Sequence, residues 1–470
     1  MEIKKRALLK ILVTQAPLIV KTTLRHIFGL SEQSKYWDLR TELVIAVLRY
    51  MLNDAPPVTI SRAQGLSIRD RIINGNMWVS KLTIPKPPED DIRQVLFKAI
   101  EGLKELGDAS GGYQEPDILP VEAEWTGYRA GVSAKSPEPA ISEAEKFTEM
   151  MREVTSEVTV LYFHGGGLYL LDPASHRPAT AMLARLTKGR CLSIRYRLAP
   201  QNPFPAALLD ILSAYLSLLY PPPDALHTPV PSDRIVFAGD SAGGNLCFSL
   251  LQVILEIQRQ ALFVTWHGIQ REVPLPAGIA TSSPWLDVTG SAPSYQANRA
   301  YDYLPTHLSN FPACAAWPTQ PPRPHLYTNE SMLLHPLVSP ITANSWQECC
   351  PIYIQTGKEL LSDEDTFSAM KLANLGVTVI YEEYESMPHC FGFILPKLPE
   401  SKKFFTTWAR TIKLMVENPE ALVPSATLIK AKSLEEVTLD LQTLSTFTEE
   451  EIIQKMREKV EKMTLTVPKL

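Results

Sequence analysis

From Val158 onward the chain alternates short apolar runs with amphipathic stretches. TVLYF (159–163), CLSIRY (191–196), RIVFAG (234–239), AGIATSS (277–283), PIYIQT (351–356) and VTVIYEEY (377–384) are too short for helices and rich in branched and aromatic side chains. They read as buried strands. Between them, Pro205 to Tyr220, Asn245 to Gln258 and Asp363 to Asn374 carry apolar residues at helical spacing. Buried strands alternating with helices predict an α/β fold, a mostly parallel sheet with helices on both faces. The interval 286–350 breaks the alternation with LPTHLSNFPACAAWPTQPPRPHLY and reads as a lid insertion.

The flanks differ in texture. Residues 1–110 read as a helical N-terminal cap segment. Leu39, Leu43, Val47, Tyr50 and Met51 share one helix face, and a second helix over Asp90 to Leu106 carries Ile92, Val95, Leu96, Ala99, Ile100 and Leu103, with Gly107 to end it. Residues 111–420 make the α/β body, whose first part is a Gly-, Pro- and Ser-rich connector with room for one edge strand. Residues 421–470 read as a separate charged tail, with a Thr448/Glu451 capping box ahead of Ile452, Met456, Val460 and Met463. At the other end, Lys4, Lys5 and Arg6 precede an apolar stretch to Val20 that Lys10 and Pro17 interrupt. A spanning helix needs about 20 apolar residues, so the stretch reads as the amphipathic first helix of a cap, with membrane-surface association as the second reading.

Composition narrows the function classes. Of 470 residues, 45% are apolar and 21% charged, which excludes a disordered or fibrous chain. A net charge of −5 offers no excess of cations to neutralise a phosphate backbone, so no nucleic-acid partner is expected. The six Cys form no CxxC pair, which argues against a zinc site and for free thiols in a reducing, intracellular setting: the cytoplasm or a face of an internal membrane. The final Pro-Lys-Leu departs from a Ser-Lys-Leu peroxisomal address at its first residue.

Candidate chemistry begins at Gly239-Asp240-Ser241-Ala242-Gly243, between the strand RIVFAG and the helical NLCFSLLQVILEI. Gly-x-Ser-x-Gly between strand and helix is a nucleophile elbow: the turn is tight enough to strain the serine and to demand small neighbours two residues away on each side. His164-Gly165-Gly166-Gly167 follows the strand TVLYF, where bare backbone N–H groups of Gly165 and Gly166, with that of Ala242, would form an oxyanion hole. A general base is expected just past VTVIYEEY, where His389 stands. An acid is expected after PIYIQT, where Glu359 is favoured and Asp363 is the alternative, though acidic residues are expected at that helix start for capping alone.

HGGGLYL, YRLAPQNPFPAAL, GDSAGGN, SPWLDVTGSAPS and MPHCFGF together resemble the hormone-sensitive lipase family of α/β hydrolases over roughly residues 155–415. The resemblance implies an eight-stranded sheet, a Ser–acid–His triad, and a cap built from the N-terminus and the lid insertion. The family's Asp-Pro-Leu-x-Asp-Glu stands here as Glu359-Leu360-Leu361-Ser362-Asp363-Glu364. Gln201 replaces a Glu, and Cys390 replaces the Gly after the histidine. SKYWDLRTEL is similar to fungal steryl acetyl hydrolases, membrane-attached members of the same family. The implied activity is hydrolysis of a short-chain, acetyl-like ester of a hydrophobic alcohol through an acyl-enzyme, with a small hydrophobic ester as partner and neither metal nor cofactor. Amide, formamide or thioester cleavage by the same residues is one alternative. A ligand receptor on a hydrolase scaffold is another, disfavoured by the presence of His389.

Overall fold

The computed structural model describes residues 14–104, 112–305 and 311–465. The basic start at Lys4 to Arg6, Gly107, His307 and the terminal Pro-Lys-Leu lie outside them. Apart from a small hairpin of Val264–Trp266 with Ile269–Arg271, the strands are β1 (Met77–Ile84), β2 (Val121–Tyr128), β3 (Thr159–Phe163), β4 (Arg190–Arg195), β5 (Ile235–Asp240), β6 (Gly278–Ser282), β7 (Ile352–Gly357), β8 (Val379–Tyr384), β9 (Ser425–Ile429) and β10 (Glu436–Leu439). Among the described residues these ten form one sheet in the order β1-β2-β4-β3-β5-β6-β7-β8-β9-β10. Pairing is parallel from β4 to β9, and antiparallel at β1–β2, β2–β4 and β9–β10. The chain has the α/β-hydrolase fold.

The helices of eight residues or more are α1 (Ala16–Ile27), α2 (Leu39–Arg49), α3 (Ile60–Ser67), α4 (Asp91–Gly102), α5 (Glu143–Glu153), α6 (Pro173–Thr187), α7 (Ala206–Leu219), α8 (Ala242–Arg259), α9 (Ser362–Asn374), α10 (Pro399–Glu417) and α11 (Glu449–Leu465). Alternation along β3 sorts its side chains between two cores. Leu161 and Phe163 join the apolar cluster that contains α7 and α8 residues, whereas Val160 and Tyr162 join the one containing Leu183 of α6 and Trp408 of α10.

Three sequence expectations are corrected at the flanks. Residues 1–110 are not wholly helical, because β1 adds an antiparallel edge strand in which Lys81 and Thr83 are exposed while Ile84 is buried. The segment after 420 is not a separate tail: β9 and β10 extend the sheet, and α11 follows them with Ile452 and Met456 buried in the main core. The sheet therefore has ten strands rather than eight, with β9 and β10 side by side beyond β8 at one edge.

The N-terminal helices and the insertion between β6 and β7 contact each other. Arg49 Nε and Nη2 donate to the Asp302 and Ala300 carbonyls at 2.8 and 2.9 Å, and Asn53 reaches the Tyr303 carbonyl at 3.2 Å. Parallel pairing aligns the strand ends that matter: Phe163 with Gly239, Asp240 with Ser282, Ser282 with Gln355, and Gly357 with Tyr384. The loops after β3, β5, β6, β7 and β8 thus leave one carboxyl-end edge of the sheet, where α/β folds place their sites.

Candidate active site

Ser241 links β5 to α8 at φ 52° and ψ −119°, a backbone that a residue with a Cβ adopts only under strain. The turn closes because its flanking residues are glycines. A Cβ on Gly239 would lie 2.6 Å from the Gly243 carbonyl, and one on Gly243 would overlap the Phe163 carbonyl of the neighbouring strand. The Ser241 N–H donates to Ser282 O at 2.9 Å, and Trp285 N donates to Ser241 O at 3.0 Å, stitching the turn to the loop after β6. Among the described residues the Ser241 hydroxyl makes no hydrogen bond.

Asp240, beside it, points back into the protein. Its carboxylate accepts from Tyr162 Oη at 2.6 Å and from Gly165 N at 3.2 Å, and lies 3.2 Å from His176 Nε2. Burial alone would raise the Asp240 carboxyl, but the His176 imidazole and the Tyr162 hydroxyl hold it below the usual range. Burial likewise opposes a charge on His176, and Asp240 outweighs it and raises the imidazole. His164, the first residue of the glycine loop, is pushed down to about 3 by burial and then by His176, and so stays neutral. It stacks on Tyr196 at 4.3 Å, and Tyr196 Oη donates to its carbonyl at 2.6 Å.

This arrangement corrects the expected oxyanion donors. The Gly165 N–H is taken by Asp240, so it is an anchor of the loop rather than a free donor. The N–H groups of Gly166, Gly167 and Ala242 have no acceptor among the described residues. Gly166 sits at φ +111° with its carbonyl accepting from Leu170 N at 2.9 Å, and a Cβ there would strike the Leu170 carbonyl.

Glu359 follows β7 and is fully buried. Its Oε1 accepts from Ser283 Oγ at 2.5 Å, Thr356 Oγ1 at 3.0 Å and Gly357 N at 3.1 Å, and its Oε2 accepts from His389 Nδ1. Asp363 is elsewhere: its Oδ2 accepts from Ser294 N at 2.8 Å. Burial depresses the His389 imidazole, and its negative neighbours more than reverse this, leaving it well above its ordinary value. Cys390 is the larger of those neighbours and Glu359 the next; because burial pushes Cys390 up to about 12, its share falls away near neutrality and the Glu359 carboxylate holds what remains. Cys390 Sγ lies 3.4 Å from His389 Nε2.

The strand ends therefore bring Gly165, Gly166, Gly167, Ser241 and Ala242 to the same edge as the Glu359–His389 pair, and leave Asp363 apart from it. Sequence reasoning overlooked Ser283, although it opens the SPWLD motif, because nothing in a single sequence says which carboxylate a hydroxyl will meet. Asp302 was also missed. Its buried carboxylate accepts from Leu360 N at 2.9 Å, Tyr303 N at 2.6 Å and His389 N at 3.4 Å, joining the insertion between β6 and β7 to the loops that carry Glu359 and His389. Trp37 donates from Nε1 to Ser386 O at 2.6 Å, bracing the loop that carries His389 from the N-terminal segment. Among the described residues no cluster of His, Cys, Asp and Glu is arranged to hold a metal ion, and all six cysteines are free.

A family model described as alpha/beta hydrolase fold matches residues 160–393. An acetyl-hydrolase of Streptomyces hygroscopicus is 29% identical over 246 residues, 52% of this chain and 72% of the relative. Versiconal hemiacetal acetate esterase of Emericella nidulans is 28% identical over 246 residues, 52% of this chain and 77% of the relative. Human hormone-sensitive lipase is 38% identical over 132 residues, covering 27% of this chain and 10% of that much longer protein.

Proposed function

We propose, for a chain that belongs to the hormone-sensitive lipase family of α/β hydrolases and is a carboxylesterase- or lipase-like enzyme, that it cleaves a short-chain ester of a hydrophobic alcohol through a serine acyl-enzyme. Ser241 Oγ attacks the ester carbonyl while His389 Nε2 takes its proton. Glu359 holds the Nδ1–H tautomer and stabilises the imidazolium without itself being protonated. The Gly166, Gly167 and Ala242 N–H groups receive the developing oxyanion, Ala242 doing so at the positive end of α8. His389 then protonates the leaving alcohol, and water releases the acid by the same steps.

The observation that carries this reading is the buried Glu359–His389 pair at the strand edge where Ser241 is held in a strained elbow. Aromatic neighbours support an apolar alcohol: Tyr303 lies 6.2 Å from the His389 ring, and Phe311 of the lid packs edge-on against Tyr169 at 5.7 Å. Relatives named acetyl-hydrolase and acetate esterase support a short acyl group. A fluorophosphonate should label the protein at Ser241, and turnover of nitrophenyl esters should fall from acetate to palmitate. Labelling elsewhere, or a preference for palmitate, overturns the reading.

The cap belongs to this proposal. Removing residues 1–52 deletes Trp37 and Arg49, which brace the Ser386 carbonyl and the lid carbonyls of residues 300 and 302. The truncated protein is expected to lose phosphonate reactivity as well as ester selectivity. Trp37→Phe, which keeps the ring and leaves a buried carbonyl without its donor, should cost about 1–3 kcal/mol in urea melts.

A membrane-surface role is favoured by one further observation. No helix among the described residues is long and apolar enough to cross a membrane, yet Ile27, Phe28 and Leu30 at the end of α1 are 64, 69 and 66% exposed, beside Lys21 and Arg25. An amphipathic helix of this kind lies in the lipid interface. Ile27→Ser with Phe28→Ser should weaken cosedimentation with phosphatidylcholine–phosphatidylserine vesicles about tenfold or more, with nitrophenyl acetate turnover unchanged. Equal sedimentation of variant and parent removes this role.

A further inference from the structure

We infer that Cys390 is a positioning residue for the hydrolytic reaction: its thiol occupies His389 Nε2 in the resting enzyme and competes with the Ser241 hydroxyl for that nitrogen. The inference rests on the Ser241–His389–Glu359 reading of the site.

The imidazole has two nitrogens. Nδ1 is engaged by Glu359, so in the neutral form that can act as a general base the ring presents Nε2 as an acceptor, and the atom found there is Cys390 Sγ at 3.4 Å. The serine that must deliver its proton to Nε2 has no hydrogen bond among the described residues. Cys390 is held in place independently of the ring. It sits in the left-handed region at φ 48° and ψ 38°, its N–H donates to Ser283 Oγ at 3.3 Å, and its carbonyl accepts from Phe393 N at 3.0 Å. Because the Ser283 hydroxyl also donates to Glu359 at 2.5 Å, one side chain positions both the acid and the residue that caps the base. A glycine would adopt this backbone without strain and would leave Nε2 uncovered. The cysteine that stands here accepts the strain and covers it.

Burial keeps the sulfur protonated, so with the neutral ring the contact is an S–H donating to the imidazole lone pair, a weak bond that the Ser241 hydroxyl can displace once substrate is bound. For reaction the thiol swings off Nε2 and retains its own proton. Ser241 Oγ–H takes its place, passes its proton to Nε2, and forms the bond to the ester carbonyl. No bond to sulfur is made or broken. The resting contact thus lowers the fraction of enzyme with its base free, which reduces kcat and leaves substrate contacts, and so KM, alone.

The test is a signed series at one position. Cys390→Ala and Cys390→Gly should raise kcat on nitrophenyl acetate, and the rate of fluorophosphonate inactivation, by about fivefold with KM unchanged. Cys390→Ser, which supplies a stronger donor of similar size, should lower both by about the same factor. Thermal melts accompany each variant. A merely structural cysteine would give the opposite pattern, with Ser the mildest change and Ala and Gly losing or keeping activity in step with stability. That order, or a flat series, overturns the inference while Ser241 labelling of the parent protein leaves the triad reading standing. Failure of the parent to label at Ser241 removes the triad reading, and this inference with it.

Discussion

Ser241→Ala is expected to lower ester turnover by a factor on the order of 10⁶, to the rate of the oxyanion donors and binding alone, with the fold intact. The stability side of the argument comes from the hydroxyl itself. It makes no hydrogen bond among the described residues, so its removal forfeits none, and the methyl group of alanine keeps the Cβ that the φ of 52° strains. Thermal melts of the variant should therefore overlay those of the parent or lie slightly above. Ser241→Gly separates strain from chemistry. It is equally inactive, but it removes the Cβ and should gain about 1 kcal/mol or more. Ordinary nitrophenyl acetate turnover in either pure variant would remove Ser241 as nucleophile. A Gly variant less stable than the Ala variant would remove the strain.

The inner sheet was legible because burial on both faces forces continuous apolar runs, and β3, β5 and β6 are buried at every position. The edge strands were not. In β1 the half-exposed pattern Ser80-Lys81-Leu82-Thr83-Ile84 carries little apolar signal, and it lies between convincing helices. In β9 and β10 the short segments SATLI and EVTL become strands only because β8 offers a parallel partner, a tertiary cause with no local trace.

The same division runs through the site. Elements whose chemistry demands a local shape, such as the Gly–x–Ser–x–Gly turn, announce themselves in sequence. Contacts between loops distant in sequence do not. Gly165 reads as a free N–H until the Asp240 carboxylate, 75 residues away, is seen to accept from it. Asp302 reads as one acid in a Pro-rich insertion, and only folding sets it against the Leu360 and His389 amides. The choice of Glu359 over Asp363 rested on its place just after the strand PIYIQT and on a motif that has aspartate where this chain has glutamate, and the side-chain geometry now distinguishes their surroundings.

That distinction gives the second large expected effect. The Glu359 carboxylate meets four donors: the Ser283 and Thr356 hydroxyls, the Gly357 N–H and His389 Nδ1–H. Glutamine has only one oxygen for them, and its amide must turn N–H groups toward at least one donor. If it faces His389, the ring adopts the other tautomer and Nε2 carries the proton it should accept. If it faces Ser283 and Gly357, buried donors go unpaired, at about 1–3 kcal/mol. Either way the imidazolium loses its carboxylate, and Glu359→Gln should lower kcat about 10³–10⁴-fold, as other wrong-tautomer substitutions do. Asp363→Asn is a far milder change. Its contact is an oxygen accepting from Ser294 N at 2.8 Å, which the asparagine carbonyl reproduces, so kcat should stay within about twofold and stability within about 1 kcal/mol. Measuring both variants on one short ester, with melts beside them, ranks the two acids directly. A Glu359→Gln enzyme that turns over normally while Asp363→Asn fails would transfer the role of the acid to Asp363, and the contact between Glu359 and His389 would then be one of packing alone.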